Sequence, residues 1–277
     1  MQIIEIMKAL FLGIVQGISE WLPISSTGHL ILVDEFIKLN IYSDPFTNSE
    51  FVDMFMVVIQ LGSILAVLTL YFHKLNPFSI RKTLEEKIDT INLWKLICIA
   101  CIPAAVIGLL FDDYIDALLY NPTTVAIMLI VYGVIFIFIE KKQKNESIST
   151  LRDITAKSAF IIGVFQVLAL IPGTSRSGAT IVGALLIGTN RSVAAEFSFF
   201  LAIPVMFGAS LLKLLKLKIV LDTFGLIVLL SAMLVAFIVS VFVIKYFMSY
   251  IRKKDFIIFG YYRIILGIII LFYFLFK

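Results

Sequence analysis

Long apolar stretches constrain this chain more than any other feature of its sequence. Six of them are long enough to cross the ~30 Å hydrocarbon core of a bilayer at ~1.5 Å per helical residue. They lie at roughly 51–72, 93–111, 123–139, 193–212, 219–244 and 256–276. Only 15% of the residues are charged, against roughly 25% in soluble domains. The sequence therefore predicts an all-α polytopic membrane protein and excludes a soluble globular fold.

Four other apolar stretches are too short to cross a membrane. They lie at roughly 2–15, 28–40, 158–171 and 178–189, and as helices they would reach only ~15–21 Å. They form two pairs, and each pair flanks a polar segment that contains proline: QGISEWLPISSTGH (16–29) and PGTSRSGAT (172–180). A break in helical backbone at membrane depth is tolerated only where it lines a cavity or is buried in protein. We therefore predict two re-entrant helix pairs beside about six transmembrane helices.

The two halves of the chain carry matching fragments. Gly13-Ile-Val-Gln16 recurs as Gly163-Val-Phe-Gln166, Pro23-x-Ser-Ser as Pro172-x-Thr-Ser, and Glu50-Phe51 with Leu61-Gly62 as Glu196-Phe197 with Phe207-Gly208, at offsets of 150, 149 and 146 residues. We interpret residues 1–277 as a single integral membrane domain with an inverted-topology repeat. Repeat one covers about 1–140, repeat two about 158–277, and a cytoplasmic linker of about 141–157 joins them.

Charges in the loops predict the orientation of the chain. Two loops carry five Lys or Arg residues each and are predicted to be cytoplasmic: Lys74, Arg81, Lys82, Lys87 and Lys95 in one, and Lys141, Lys142, Lys144, Arg152 and Lys157 in the other. The loop between them, 112–122, carries Asp112, Asp113 and Asp116 but no Lys or Arg, and is predicted to lie outside. In this orientation the first re-entrant pair enters and leaves the membrane on the outer side, and the second does so on the cytoplasmic side. Lys213, Lys216 and Lys218 fall outside in this scheme, against the trend.

The first polar segment concentrates groups that can perform nucleophilic chemistry. Gln16 and Glu20 are spaced i, i+4 and share one face of a helix that runs into the break at Pro23. An unpaired Glu at membrane depth costs at least ~2.5 kcal/mol, so Glu20 should face a cavity or a partner. Ser25, Ser26, Thr27 and His29 follow, and a serine hydroxyl beside a base is an activated nucleophile. The alternative is a set of hydroxyls that cap a helix, beside a hydrogen-bonded histidine.

The second polar segment has the composition of an anion site. It offers Arg176 together with glycines and hydroxyls at the start of a short helix, where backbone N–H groups and the helix dipole attract phosphate. The guanidinium can bind phosphate through two parallel hydrogen bonds. The predicted binding residues are Gly173, Thr174, Ser175, Arg176, Ser177 and Thr180. The alternatives are an ion pair between Arg176 and Glu20, and helix capping by the hydroxyls.

These motifs, with the strings FMVVIQLGSILAVL and FSFFLAIPVMFGAS, resemble the undecaprenyl-diphosphatase (bacitracin-resistance) family along almost the whole chain. The resemblance implies hydrolysis of undecaprenyl diphosphate to undecaprenyl phosphate and inorganic phosphate, which recycles the lipid carrier of cell-wall glycans. It implies a multi-pass protein of the bacterial cytoplasmic (inner) membrane, with an active site that opens to the outer face. Undecaprenyl diphosphate and membrane lipid are then the expected partners. Nucleic acid is not, because no stretch is basic enough to bind it. No feature indicates an oligomeric state.

The resemblance also implies roles for individual residues. By its position in the motif, Ser26 resembles the family's nucleophile and His29 its base or acid. Glu20 resembles an orienting or metal-linked carboxylate, and Arg176 resembles the residue that binds the diphosphate. Gln16, Ser25 and Thr27 fall among the predicted substrate contacts. Gln16 stands where the family often has Glu, which removes one carboxylate from a two-carboxylate metal site. The family resemblance implies a divalent cation, Mg²⁺ or Ca²⁺, which could be coordinated by the oxygens of the diphosphate itself.

Three alternatives compete with this interpretation. A lipid phosphatase of the phosphatidic-acid-phosphatase type 2 superfamily needs a second catalytic histidine, and the only other one here, His73, stands beside Lys74 at the end of an apolar stretch. A transporter that flips a polyprenyl phosphate would use the same architecture of inverted repeats and broken helices. An enzyme would release phosphate in detergent, where no membrane separates two compartments, whereas a transporter would not. A purely structural membrane subunit does not explain Glu20 and Arg176.

Overall fold

The computed structural model describes residues 2–142 and 146–276, without the side chains of Asp112, Asp113 and Asp116. Within these residues the chain forms twelve α-helices and two short 3-10 helices at Leu151–Asp153 and Leu168–Leu170. The α-helices are α1 Gln2–Ser19, α2 Ser26–Phe36, α3 Pro45–Val58, α4 Gln60–Leu70, α5 Phe72–Leu75, α6 Leu84–Leu119, α7 Pro122–Lys141, α8 Ala156–Val167, α9 Arg176–Leu186, α10 Arg191–Leu215, α11 Thr223–Ile251 and α12 Ile257–Leu275. The predicted all-α polytopic architecture is confirmed.

Seven helical segments in the described residues are long and apolar enough to cross a membrane. Six of them coincide with the six long stretches predicted from the sequence, apart from shifts at their ends, with α3 and α4 acting as one segment, Pro45–Leu70. The seventh is α1, which was predicted to be short, about 2–15. It continues to Ser19 because its polar residues face the protein interior, where Gln16 and Ser19 are buried. Its 18 residues reach about 27 Å.

The outer loop predicted at 112–122 is much shorter than expected. Helix α6 continues to Leu119, so only residues 120 and 121 separate it from α7. The break comes at Asn121-Pro122, where the Asn121 side chain caps α7 by accepting from the backbone N–H of Thr124 at 2.9 Å. The side chains of Asp112, Asp113 and Asp116 lie outside the described residues, as do residues 143–145 of the predicted linker.

Three short helices border the polar segments, as predicted. Helices α2 and α9 have 11 residues each and α8 has 12, so each reaches only about 17 Å. Helix α1 leads into the first polar segment and α8 into the second. The segments then continue into α2 and α9, whose first turns lie inside the protein.

The two polar segments share one local geometry. Ser25 and Ser175 both have φ 73°, and they are the only non-glycine residues with positive φ in the described chain. Each serine hydroxyl accepts from a backbone N–H three residues on, Gly28 or Gly178, at 3.2 Å. This equivalence pairs Ser25 with Ser175, whereas the sequence match had paired Ser26 with Ser175. The second segment has one more residue between its proline and its cap, which a gapless comparison missed. The division into two repeats stays a prediction that this geometry supports.

Glycines let a long helix approach α1 and α8 closely. A methyl group added at Gly13 of α1 would lie 2.6 Å from the carbonyl oxygen of Ala232 in α11. A methyl group at Gly163 of α8 would lie 2.3 Å from the carbonyl oxygen of Ala100 in α6. Both distances are shorter than any van der Waals contact, so only glycine fits without a backbone shift. The long helices α11 and α6 thereby fix the directions in which α1 and α8 enter the site.

Polar contacts join the loops predicted to share one side of the membrane. The Tyr42 hydroxyl donates to Asp222 at 2.9 Å, and both residues fall on the predicted outer side. Arg152 pairs with Glu85, and Arg191 pairs with Glu140 at 2.6 Å, all on the predicted inner side. These contacts agree with the grouping of the loops.

Candidate active site

Each polar segment contains a serine, Ser25 or Ser175, that caps a helix whose first turn lies inside the protein. After α1, the chain turns through residues 20–24 and passes Pro23, which cannot continue a helix in register because it lacks an N–H donor. After the 3-10 turn at Leu168–Leu170, Gly173 adopts φ 91°, and a methyl group there would lie 2.5 Å from the carbonyl oxygen of Val125. The N-termini of α2 and α9, with their positive dipole ends, are thereby held at the site.

Glu20 and Arg176 join the two segments. The Arg176 Nη2 atom lies 3.0 Å from Oε1 of Glu20, and the two side chains are 11% and 4% exposed. The other carboxylate oxygen, Oε2, accepts from Ser26 Oγ at 2.9 Å and from Gln16 Nε2 at 3.0 Å. One buried carboxylate therefore contacts the predicted nucleophile, the predicted phosphate clamp and Gln16. The ion pair kept open as an alternative for Arg176 is present in this structure.

Further contacts fix the Arg176 guanidinium. Its Nη1 donates to the carbonyl oxygen of Ser198 in α10 at 2.7 Å, and its Cζ lies 5.8 Å from the centre of the Trp21 ring. Its Nε has no hydrogen-bond partner among the described residues. The guanidinium is therefore held on several sides, with one N–H still unpaired.

Most of the other predicted hydroxyls shape the segments. Ser25 and Ser175 are the helix caps, and Ser177 lies 3.4 Å from the carbonyl oxygens of Glu20 and Leu22. Thr180 contacts Ser198 Oγ at 2.7 Å and donates to the carbonyl oxygen of Arg176. These hydroxyls already have partners within the segments, whereas the Ser26 hydroxyl donates to the Glu20 carboxylate.

Three of the predicted contacts, Thr27, Thr174 and Gln16, differ from those hydroxyls. Thr27 is half-buried at the start of α2. The hydroxyl of Thr174 is buried and has no partner among the described residues, while its carbonyl oxygen accepts from Arg263. The amide oxygen of Gln16 is also buried without a partner there. Thr174 and Gln16 therefore retain unused hydrogen-bonding capacity.

His29 lies one helical turn beyond Ser26 but has other partners. Its Nδ1 lies 2.7 Å from the carbonyl oxygen of Ser25, and its Nε2 lies 2.6 Å from the hydroxyl of Tyr262 in α12. The sequence had suggested that His29 activates a neighbouring serine. In this structure the hydrogen bond of Ser26 goes to Glu20 instead.

Sequence reasoning missed Arg263, which is the best-buried charge at the site. It is fully buried and donates to the carbonyl oxygens of Pro23 at 3.1 Å, Gly173 at 2.8 Å and Thr174 at 2.8 Å. It therefore ties both polar segments to α12. A lone arginine in the apolar stretch 256–276 was a usable signal, by the same cost argument that drew attention to Arg176. Ser198 and Tyr262 gave no such signal, because neither type is unusual in a transmembrane helix.

The donor set does not form a metal site within the described residues. No group of three or more His, Cys, Asp or Glu side chains there could hold an ion. Glu20 is the one carboxylate at the site, and Arg176 already neutralises it. The side chains present therefore do not fit a divalent cation bound by protein ligands alone.

This is a multi-pass helical membrane protein in which a hydroxyl, a carboxylate and a guanidinium meet between two interrupted helices. These features define a candidate membrane-embedded hydrolase of phosphate compounds. The model of one family, described as "Bacitracin resistance protein BacA", matches residues 9–269. The chain belongs to that family.

Curated relatives are similar along their whole length. A protein of Enterococcus faecalis named undecaprenyl-diphosphatase is 60% identical over 275 residues, which cover 98% of both chains. One of Desulfitobacterium hafniense with the same name is 60% identical over 99% of this chain and 98% of its own. An undecaprenyl-diphosphatase 1 of Clostridioides difficile is 59% identical over 98% of this chain and 97% of its own.

Proposed function

We propose that this protein hydrolyses undecaprenyl diphosphate to undecaprenyl phosphate and inorganic phosphate. The names of its full-length relatives support the substrate and the reaction. The observation that carries the proposal is the Glu20 carboxylate, which accepts from Ser26 Oγ at 2.9 Å and pairs with Arg176 at 3.0 Å. The proposed nucleophile, Ser26, and the proposed phosphate-binding residue, Arg176, thus both contact the proposed base, Glu20.

In the first step, Ser26 Oγ attacks the terminal phosphorus of the diphosphate. Its proton passes to Glu20, the bond from that phosphorus to the bridging oxygen breaks, and undecaprenyl phosphate leaves. Arg176 and the N–H groups at the starts of α2 and α9 stabilise the equatorial oxygens, where most of the benefit in phosphoryl transfer lies. The unpaired Nε of Arg176 is available for this contact.

In the second step, water hydrolyses the phosphoserine. His29 lies at i+3 from Ser26, on the same side of α2, and its neutral ring can accept the proton of the attacking water. The bond between Ser26 Oγ and phosphorus breaks, Ser26 takes back the proton held on Glu20, and inorganic phosphate leaves. His29 gives its proton to the departing phosphate or to bulk water, which restores the neutral ring. This division gives Glu20 the role of base towards serine and His29 the role of base towards water.

The remaining substrate contacts and the cation are part of the same proposal. Gly173, Thr174 and Gln16 border the site, and the buried Thr174 hydroxyl has no partner among the described residues, so it can donate to a phosphate oxygen. Mg²⁺ or Ca²⁺ would arrive on the diphosphate, since its oxygens are ligands that hard cations prefer. Glu20 is the carboxylate that could contact such an ion.

We place the protein in the bacterial cytoplasmic membrane, with the site open to the outer face, where it would regenerate the lipid carrier for cell-wall glycans. The loop charges support this orientation. Exposed apolar side chains on the long helices, such as Leu109, Phe138 and Phe242, provide a surface suited to lipid and to the isoprenoid tail.

Phosphate release from a long-chain polyprenyl diphosphate by the detergent-purified protein tests the proposal. We expect release by the wild type, loss of release in Ser26→Ala without loss of lipid binding, and no change in Ser43→Ala, an exposed serine outside the site. A parallel sample with chelator tests the cation. Full activity of Ser26→Ala would move the nucleophile to Thr27 or to water.

A second candidate function is transport of a polyprenyl phosphate across the membrane. The observation in its favour is the shared geometry of the two interrupted helices, with φ 73° at Ser25 and Ser175, because transporters use such helices in inverted repeats. If the well-folded wild type releases no phosphate, with or without added cation, the enzymatic proposal fails. Transport then becomes the leading account.

A further inference from the structure

Tyr262 contacts the site from outside the two polar segments. It lies in α12, is 43% exposed, and places its hydroxyl oxygen 2.6 Å from Nε2 of His29. The two rings lie almost parallel, with 5° between their planes and 5.6 Å between their centres. The contact bridges 233 residues of sequence, so it forms only when α12 has packed against α2.

The partners of His29 determine which of its ring nitrogens carries the proton. A carbonyl oxygen can only accept, so the contact of 2.7 Å between Nδ1 and the Ser25 oxygen requires a proton on Nδ1. In a neutral ring, Nε2 is then unprotonated and can accept the proton of the Tyr262 hydroxyl. The two contacts together define one tautomer and one orientation of the ring.

We propose that Tyr262 is a positioning residue that keeps His29 in this neutral tautomer, with the basic Nε2 held in place one helical turn from Ser26. When substrate and water enter, water replaces the Tyr262 hydroxyl at Nε2 and gives its proton to that nitrogen. The part of the inference that concerns turnover rests on the proposed function. The part that concerns the tautomer and the hydrogen bond does not.

A purely structural role for Tyr262 makes a different prediction. If the ring only packs against His29, then Tyr262→Phe, which keeps the ring and removes the hydroxyl, should change neither the Nε2 signal of His29 nor turnover. If the hydroxyl positions His29, the same variant should alter both, while Nδ1 keeps the proton that it donates to the Ser25 carbonyl oxygen. Tyr261→Phe is the matched control, because Tyr261 is the neighbouring exposed tyrosine on the same helix.

The composition of the chain allows a direct spectroscopic test. Only two histidines are present, His29 and His73, so His73→Gln leaves a single imidazole to observe in ¹⁵N-histidine-labelled protein in detergent. We expect Nδ1 at a protonated shift and Nε2 at the shift of a hydrogen-bonded acceptor. Tyr262→Phe should move Nε2 towards the value of a free acceptor, and Tyr261→Phe should not.

Kinetics on the same proteins complete the test. We expect Tyr262→Phe to lower kcat by about tenfold, less than the roughly 10²- to 10⁴-fold that a placed acid–base group itself contributes, with KM within about twofold. A protonated Nε2 in the wild type, or an Nε2 signal that is identical with and without the hydroxyl, overturns the inference. A shifted Nε2 with unchanged kcat overturns the positioning role.

The outcomes separate this inference from the proposed function. Should the wild type release no phosphate while Nε2 still responds to Tyr262→Phe, the proposed function fails and the turnover part fails with it, but the hydrogen bond stands. The wild-type spectrum alone tests the tautomer, so the inference remains falsifiable even if Tyr262→Phe does not purify as folded protein.

Discussion

Glu20 is the residue on which the two polar segments meet. Its carboxylate accepts from Gln16, Ser26 and Arg176, and its side chain is only 4% exposed. Three donors fix the orientation of the carboxylate, and Ser26 Oγ then has an acceptor in place before substrate arrives. Glu20 therefore contributes in two separate ways: its negative charge lets it take a proton, and its shape places an acceptor beside Ser26.

Replacement of Glu20 by glutamine separates them. Gln has the same shape and can still accept from Ser26, but it cannot take a proton. We expect Glu20→Gln to lower phosphate release by roughly 10²- to 10⁴-fold, the usual contribution of a general base. The measurement is kcat on detergent-purified protein that elutes as a single species.

Glu85→Gln is the matched control for this experiment. Glu85 is 78% exposed in its side chain and lies in the first turn of α6, away from the site. It should keep wild-type turnover. Near-normal turnover of Glu20→Gln would assign the base towards Ser26 to another group.

At the scale of elements, α12 orders the site although it carries neither polar segment. Arg263 reaches from α12 to carbonyl oxygens on both segments, at Pro23, Gly173 and Thr174. A guanidinium can donate in several directions within one plane, whereas an ammonium group is a compact point charge. The distance between α2 and α9 thus depends on a residue of a third helix.

The variant Arg263→Lys tests this dependence. Lysine keeps the charge but cannot reach all three carbonyl oxygens, so at least one would be left without its donor, at a cost of about 1–3 kcal/mol. We expect a lower melting temperature and a reduced kcat in the folded fraction. Arg252→Lys, an exposed arginine just after α11, should match the wild type in both. Equal melting temperatures for the two variants would count against the bridging role.

The sequence predicted the local parts of this site better than its assembly. The six long stretches, the short helices beside Pro23 and Pro172, and the importance of Glu20 and Arg176 follow from hydropathy and from the cost of charge at membrane depth. The extent of α1 and the partners of His29 do not follow. They depend on contacts such as that between His29 and Tyr262, which join residues 233 positions apart.

At the scale of the whole molecule, polar contacts divide the loops into two groups, one at each end of the transmembrane helices. Tyr42 contacts Asp222 on one side, and Arg152 contacts Glu85 on the other. The loop charges predict that the first group faces outwards and that the second faces the cytoplasm. This assignment can be tested without any assay of activity.

Single cysteines report the sides of the membrane. In a background with Cys98 and Cys101 changed to serine, we introduce Ser43→Cys in the first group or Ser149→Cys in the second, both at exposed positions. A membrane-impermeant maleimide should label the first variant in intact cells and the second only after the membrane is opened. The reverse pattern would invert the predicted topology.

The ion pair between Glu20 and Arg176 leaves the guanidinium only partly available to a ligand. A bound anion would share Arg176 with the resident carboxylate and contact the unpaired Nε, so weak anions are at a disadvantage in this site. A diphosphate brings more negative charge to that competition than a monophosphate ester does. In the proposed mechanism, the negative charge of Glu20 returns when its proton goes back to Ser26. The same contact that holds the two segments together would then favour the release of inorganic phosphate.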